Sequence, residues 1–316
     1  MKSKIVFVIA AVGFTSGCAG HGIPEEIGIV DTPSGSNTPA IPATYVSTSS
    51  NNIASSSSNT VVAPFQAGDT TATYYVPSAT TQIAGSGSLA QGAIQAISAS
   101  NTVTIATDAA DNIDSVKFNI STGNISFTPT FDGSAITTNS PFIQGTNGAT
   151  PGPNGVSFLA DAYSYSGFGI WASDPSTPVQ YTGAFAFGIA TQPSAVPTTG
   201  TATYNGVTGG AGTNGPNSAF SFGGNAQVVA NFATQSVSTT FSSITEFNLA
   251  TGAQTSFPTI TGSASISGNQ YTGPITGGGL TGSLHGAFYG PSAQETAGVW
   301  QGINGTSVLI GGFAAK

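Results

Sequence analysis

The chain has 316 residues, enough for one large domain or two smaller domains with hydrophobic cores of their own. Only 5% of the residues are charged, and twelve carboxylates stand against four lysines and no arginine, so the formal net charge is −8. So few cations cannot neutralise phosphates, which argues against nucleic acids and anionic lipid head groups as partners. Solubility must come from Thr, Ser, Asn and Gln, which suit strands with one polar face.

The first residues have the pattern of a secretory signal. A basic start, MKSK, precedes an apolar run at 5–14 that is too short to cross a bilayer as a helix. The stretch resembles a bacterial lipoprotein signal, with SGC at 16–18 as the cleavage site and Thr15 where that pattern usually has Leu. Residues 1–17 are therefore predicted to be a signal peptide and Cys18 to be lipidated. The alternative is an ordinary signal peptide whose removal leaves a free thiol.

The segment after the signal predicts a tether. Cys18 is the only cysteine, so the exported chain has no internal disulfide and depends on burial for stability. Residues 18–60 are rich in Pro, Ser, Asn and Thr and have too few apolar side chains to offset the entropy lost on ordering. They predict a disordered polar tether that holds the folded part away from the surface carrying the lipid.

Between 61 and 195 the apolar residues recur with a period of two, which predicts a β-rich region. The stretch VKFNISTGNISF, at 116–127, predicts a hairpin that turns at TGN. Val116, Phe118 and Ile120 would share one face of its first strand.

Two other segments of this region carry separate predictions. QGAIQAISA, at 91–99, is interpreted as a short helical turn. In DAADNID, the residues Asp108, Asp111 and Asp114 lack the spacing of a calcium loop, and no glycine or terminal glutamate follows where such a loop needs them. A solvated turn is predicted there instead.

The last part of the chain, 196–316, predicts a β-barrel. Two prolines in PSAVP, at 193–197, mark the boundary, and the sequence beyond it is nearly uncharged. Eight strand-like runs follow, separated by turn signals: GTATYNGVT, NAQVVANFA, SVSTTFSSITEF, ITGSASISG, QYTGPIT, LTGSLHGAFYG, ETAGVWQG and TSVLIGGFA. They predict a closed, antiparallel, up-and-down barrel, because closure removes exposed sheet edges. Its interior would be filled by side chains or hold one small ligand, and strand glycines would permit the coiling.

Several segments resemble the β-barrel domain of transferrin-binding protein B and its relatives, which include solute-binding lipoproteins. They are GTATYNG, ANFATQSVSTTF, HGAFYGPSAQETAGVW and the final GGFAAK, and YSGFGIW and AFAFGIATQPSAVPTTG resemble the segment before that barrel. The resemblance covers about 160–316. It implies an all-β chain in which a handle-like region, 61–195, precedes the eight-stranded barrel, 196–316. It also implies a surface lipoprotein with a binding role.

The resemblance further implies an architectural role for seven residues of one motif: Phe288, Tyr289, Gly290, Pro291, Glu295, Gly298 and Trp300. Phe288 and Tyr289 would end a strand, and Gly290 and Pro291 would form its turn. Glu295 would accept backbone N–H bonds at that turn. Gly298 would let Trp300 pack closely.

The sequence shows no pattern of a catalytic or metal site. His285 is the only histidine in the predicted folded part, and neither Gly-x-Ser-x-Gly nor His-Glu-x-x-His occurs. Glu246 and Glu295 are the only acids beyond 196, and nothing in the sequence shows that they face each other. We therefore expect no enzymatic activity, no cofactor and no metal.

Three functions remain open at this point. The first is a lipoprotein of the outer membrane, anchored at Cys18 and exposed at the surface, that binds a protein or a small nutrient and serves iron or haem acquisition. The second is a structural or adhesive envelope lipoprotein without a specific ligand. The third is a haem carrier with His285, Tyr289 or one of the other tyrosines as the axial ligand. His285 alternates with Leu284, and a single strand does not tell which of its faces lines the interior.

Overall fold

The fold is all-β, as predicted. A computed structural model describes residues 45–47, 71–75, 78–84, 91–95, 101–107, 113–122, 125–127, 130–132, 136–139, 142–147, 154–159, 163–172, 180–214, 219–249, 251–305 and 307–316. These residues form strands, connecting turns and one short 3-10 turn, Pro193–Ala195. Nowhere in these ranges is there a helix with the length and apolar character needed to cross a membrane.

The strands are numbered in chain order. The first eight are β1 Tyr45–Ser47, β2 Thr71–Tyr75, β3 Ser78–Ala84, β4 Gln91–Gln95, β5 Thr102–Thr107, β6 Ile113–Thr122, β7 Ile125–Phe127 and β8 Thr130–Asp132. The next five are β9 Ile136–Asn139, β10 Phe142–Asn147, β11 Asn154–Leu159, β12 Ser166–Ala172 and β13 Gln180–Gly188. The last nine are β14 Thr201–Asn214, β15 Ala219–Asn231, β16 Ser236–Asn248, β17 Gln254–Phe257, β18 Ile260–Ser267, β19 Gln270–Gly277, β20 Leu280–Tyr289, β21 Glu295–Asn304 and β22 Ser307–Ala315.

The first sheet has the order β1-β2-β5-β6-β7, and β8 also pairs with β6. The predicted hairpin is confirmed, since β6 and β7 pair from Ile120↔Phe127 to Thr122↔Ile125. Thr122 belongs to the ladder, so the turn is shorter than predicted. Val116, Phe118 and Ile120 are buried, because alternate residues of a strand share one face.

One prediction for this part of the chain is wrong, and a second is contradicted only at the end of its segment. Gln91–Gln95 is strand β4 and pairs with β3, so the predicted helical turn is absent there; pairing with a neighbouring strand outweighs weak local propensity. Asp114 lies within β6 and not in a turn, while Asp108 and Asp111 lie outside the described residues. Strand β1 falls inside the segment predicted as a tether, where Tyr45 and Val46 are good strand formers.

The second sheet has the order β4-β3-β13-β12-β11-β10-β9 and lies between the first sheet and the barrel. Strand β13 packs against the first sheet with one face and against the barrel with the other. Phe185 points to the first sheet, where its ring centroid lies 5.2 Å from that of Phe118. Ala184 and Ala186 point the other way and pack with Ala287 and other residues on the outside of the barrel. The second sheet is therefore buried on both faces there.

The third sheet closes into the predicted eight-stranded barrel. Its order is β15-β14-β22-β21-β20-β19-β18-β16, and β15 pairs with β16 to complete the ring. The eight predicted runs match these eight strands. The sequence reading missed β17, which pairs with the last part of β16 outside the ring. The predicted division between 195 and 196 falls in the linker from 189 to 200 and stays a prediction.

Aromatic side chains fill the barrel interior. The ring centroid of Trp300 lies 5.2 Å from that of Phe222 and 5.4 Å from that of Phe241. Nearer the other end, the centroid of Phe288 lies 5.3 Å from that of Tyr271 and 5.4 Å from that of Phe232. These rings are buried, so the interior is a packed core. Of the two predicted uses of the interior, filling by side chains is the one observed.

Candidate functional site: the two ends of the barrel

Turns at opposite ends of the barrel have different surroundings. We call the end with the turns 231–236, 267–270 and 289–295 the linker end, because the linker from the second sheet arrives there. We call the end with the turns 248–254 and 277–280 the far end.

At the linker end, the turn of the motif folds over the core. Strand β20 ends at Tyr289, Gly290 takes a φ of +84°, and β21 begins at Glu295. Ala293 is buried at a φ of +59°, and its carbonyl accepts a hydrogen bond of 2.7 Å from the Tyr204 hydroxyl. Burial raises the pKa of Tyr204 to about 12, so this hydroxyl keeps its proton at neutral pH.

Thr191 ties the linker to the same turn. Its backbone N–H donates to the carbonyl of Phe288 at 2.9 Å, and its hydroxyl donates to the carbonyl of Gly290 at 2.7 Å. The same hydroxyl accepts the N–H of Ala293 at 3.2 Å. A little further on, Val196 joins the hydrophobic cluster of the barrel interior. The linker therefore closes this end.

Glu295 connects the barrel to the second sheet. Its carboxylate is 3% exposed and accepts the backbone N–H of Ser164 at 2.7 Å and of Tyr165 at 2.9 Å. The hydroxyl of Ser166, the first residue of β12, donates to it at 2.9 Å. We expected the donors to belong to the adjacent turn, whereas they come from a segment about 130 residues earlier. Glu295 thus joins two layers of the fold.

Trp300 is held by contacts that differ from the expected ones. Its indole N–H donates to the Thr208 hydroxyl at 3.0 Å, and the glycine against its ring is Gly311, where a Cβ would lie 2.9 Å from the indole. Gly298 lies instead against the ring of Phe313 and the carbonyl of His285. Close approach of rings to the backbone is therefore one reason for these strand glycines, beside the predicted coiling.

The side chains of Tyr289 and Pro291, two residues of the motif, lie outside the barrel interior. Tyr289 is buried between the barrel and the second sheet, and its hydroxyl has no hydrogen-bond partner within the described part of the chain. Burial raises the pKa of Tyr289. Pro291 is exposed on the turn.

His285 lies on the outer face of the barrel, on the same side of β20 as Ala287 and Tyr289, while Leu284 points into the core. It is 7% exposed, and its Nε2 lies 2.9 Å from Oε1 of Gln270, to which it can donate. Burial lowers the pKa of His285 to about 4, so the imidazole is neutral at physiological pH. One ring nitrogen is engaged and the side chain is covered, which is a closed environment for a haem ligand.

At the far end, Glu246 is the other carboxylate of the barrel. It lies opposite Phe222 in the β15–β16 ladder, is 8% exposed, and receives a side-chain hydrogen bond from Asn214. Its Oε1 has no partner among the described residues. Burial raises the pKa of Glu246, and the bond from Asn214 opposes that shift. Glu246 and Glu295 lie at opposite ends, so they do not form an acid–base pair.

The far end presents exposed turns. The turn after β16 and the strand β17 are exposed from 251 to 256, and the ring of Phe257 packs against Gly278 of a neighbouring turn. Asn304 donates to the carbonyl of Gly278 at 3.3 Å, which links a third turn to the second. Within the described ranges, no group of three or more His, Cys, Asp or Glu residues is arranged to hold a metal ion.

Comparison with known proteins identifies the barrel. Residues 196–316 match the family described as the C-lobe and N-lobe β-barrels of transferrin-binding protein B. A comparison with curated proteins gives no match.

Solved structures of similar proteins include a mutant of transferrin-binding protein B from Haemophilus parasuis Hp5, with 17% identity over 72% of this chain and 54% of that one and a TM-score of 0.43. Another is transferrin-binding protein B from serogroup B Neisseria meningitidis, with 13% identity over 79% and 66% and a TM-score of 0.40. A third is HpuA from Kingella denitrificans in complex with human haemoglobin, with 17% identity over 76% and 87% and a TM-score of 0.38. The chain spans about half the length of the Haemophilus protein.

The remaining predicted site residue, Cys18, lies outside the described residues. Sequence reasoning missed Thr191, Asn214 and the donors at 164–166. No local signal marks them, because their partners are far away in the sequence.

Proposed function

We propose that this protein is a lipid-anchored surface protein of the outer membrane that binds another protein through the far end of its barrel, without catalysis. The observation that carries the proposal is the match of 196–316 to the barrels of transferrin-binding protein B. The geometry of the barrel supports a specific choice of surface.

The far end is favoured because the rest of the chain covers parts of the other barrel surfaces. The linker and the motif turn cover part of the linker end, through Thr191 and Val196, while the turn at 233–236 is exposed. The second sheet covers the outer face of β20, β21 and β22. Side chains fill the interior, which favours a protein partner over a small nutrient held inside. The exposed turns of the far end remain available for contact.

The chemistry of the far end favours a partner with a basic patch. The only Lys or Arg beyond residue 196 is Lys316, which lies at the linker end. The chain as a whole carries a net charge of −8. Complementary charge of this kind raises the association rate and the specificity more than the affinity.

The anchor and tether complete the proposal. A lipid on Cys18 would hold the chain to the membrane, and the polar segment that follows would let the folded part stand away from it. Capture of an iron-carrying host protein is one role consistent with this arrangement, since HpuA is solved with haemoglobin and the matched barrels belong to a transferrin-binding protein. A structural envelope lipoprotein without a ligand is the alternative that the experiment must separate.

The test measures binding of purified transferrin, haemoglobin and fractionated serum to the immobilised full chain in a non-ionic detergent. Two variants make a matched pair. Thr251→Arg alters an exposed far-end turn in which the threonine N–H donates to Asn248, and Thr234→Arg alters an exposed linker-end turn in which the threonine N–H donates to Asn231. We expect saturable binding that Thr251→Arg weakens about tenfold or more and Thr234→Arg leaves unchanged.

Three results would count against the proposal. Equal effects of the two variants would contradict the choice of the far end. Loss of binding in Thr234→Arg alone would place the interface at the linker end. No saturable binding of any protein would favour the structural envelope lipoprotein.

A further inference from the structure

The first sheet carries a concavity that the proposed function does not use. Its volume is about 340 Å³, and it is lined by Thr102, Thr104, Lys117, Phe118 and Asn119. This volume lies at the small end of the range for small-molecule sites.

Strand alternation gives this concavity its polar character. On β6, Val116, Phe118 and Ile120 are buried, whereas Lys117 and Asn119 are exposed. The neighbouring strand continues the polar face, because Thr104 pairs with Lys117 and Thr102 pairs with Asn119. On the other side of β6, Thr130 of β8 also pairs with Lys117.

The position of Lys117 is informative because cations are scarce in this chain. Of the four lysines, Lys2 and Lys4 lie in the predicted signal peptide, and Lys316 lies with its ammonium 5.8 Å from the ring centroid of Tyr163. The side chain of Lys117 is exposed. An anion has therefore one obvious place to bind on the first two sheets.

We infer that this concavity binds a sugar acid, a saccharide that carries one carboxylate. The ammonium of Lys117 would pair with the carboxylate, and the hydroxyls of Thr102 and Thr104 and the amide of Asn119 would hydrogen-bond to the sugar hydroxyls. A single lysine on a strand suits one negative charge. Phosphate groups are usually held by several cations or by a set of converging backbone N–H groups, neither of which lines this concavity.

The experiment titrates the full chain, in a non-ionic detergent, with glucuronic acid and N-acetylneuraminic acid, and with glucose and N-acetylglucosamine as neutral controls. Binding is followed by saturation-transfer difference NMR and by calorimetry. We expect at least one acid to bind saturably and the neutral sugars to bind about tenfold or more weakly. Lys117→Gln should lower the affinity for the acid about tenfold or more. Lys316→Gln is the matched control and should leave it unchanged.

The inference fails if neither acid binds saturably, if acids and neutral sugars bind equally, or if Lys117→Gln leaves the affinity unchanged. Thermal unfolding of each variant shows whether the fold is retained, and Lys117→Gln, at an exposed position, should retain it. The site lies on the first sheet, away from the barrel, so its failure and the failure of the proposed protein binding are separate results.

Discussion

Glu295 and Glu246 are the two carboxylates of the barrel, and they lie at its opposite ends. Glu295 accepts three hydrogen bonds from a segment of the second sheet, so its burial is matched by donors. Glu246 is nearly as buried, but it receives a side-chain hydrogen bond from Asn214, and one of its oxygens has no partner among the described residues. A buried carboxylate stabilises a fold only where donors are supplied with it.

The two ends of the barrel differ in the hydrogen bonding and exposure of their polar groups. At the linker end, polar groups such as those of Thr191 and Glu295 form internal hydrogen bonds that hold the layers together. The far end has exposed turns, and its buried acid keeps one oxygen without a partner among the described residues. Each of the predictions below changes a residue of the barrel or of its linker, and two of them pair a variant at one end with a control at the other.

Loss of the Glu295 carboxylate should have the largest effect on stability. Glu295→Ala leaves two backbone N–H groups and one hydroxyl without their acceptor, and we expect a loss of roughly 3–6 kcal/mol in the free energy of unfolding. Urea unfolding followed by tryptophan fluorescence measures it. Glu246→Ala is the control at the far end and should cost much less. Equal losses in the two variants would contradict the comparison.

His285 should make stability depend on pH. Because its folded pKa is about 4, below its ordinary 6.5, the unfolded chain takes up the proton first as pH falls. The stability contributed by the neutral imidazole is therefore present above pH 6.5 and declines between 6.5 and about 4, by about 3 kcal/mol in total. His285→Gln should remove this part of the decline. The difference between the unfolding free energies of variant and wild type, measured across that window, tests it. A difference that does not vary with pH would contradict the buried, neutral state.

The hydroxyl of Thr191 should matter more than an exposed hydroxyl at the far end. Thr191→Val keeps the shape of the side chain but removes one donor and one acceptor inside the linker end, at a cost of about 1–3 kcal/mol. Thr251→Val changes an exposed turn, where water replaces the hydroxyl, and should stay within about 0.5 kcal/mol. Thermal unfolding of the two variants compares them. A larger loss at Thr251 than at Thr191 would reverse the roles of the two ends.

Glu246→Gln should have the smallest effect, with the opposite sign. The folded pKa of Glu246 is raised, so the ionised form is disfavoured in the fold and its cost appears as pH rises through that pKa. The variant should equal the wild type in acid and become more stable than it, by about 1 kcal/mol, at neutral pH. Unfolding curves at both pH values show this. A loss of stability at neutral pH would mean that the ionised carboxylate is well satisfied.

The sequence was enough to predict the barrel but not the contact between Glu295 and the second sheet. The period of two and the turn signals predict the eight strands and their closure, because each strand must bury alternate residues. The donors to Glu295 lie about 130 residues away, and no local pattern connects a carboxylate with backbone N–H groups at that separation. The same limit explains why β4 was taken for a helical turn, since its partner strand decides its conformation. The face of His285 became evident only once Leu284 was located in the core.

The central claim is that the Glu295 carboxylate connects the barrel to the second sheet. Hydrogen exchange at the backbone amides of Ser164 and Tyr165 tests it most directly. Mass spectrometry would follow the peptide that contains these amides in the full chain and in Glu295→Gln, with peptides of β16 as an internal reference. We predict slow exchange in the wild type, and much faster exchange in the variant for the 163–166 peptide alone. Fast exchange already in the wild type, or no change in the variant, would contradict the account.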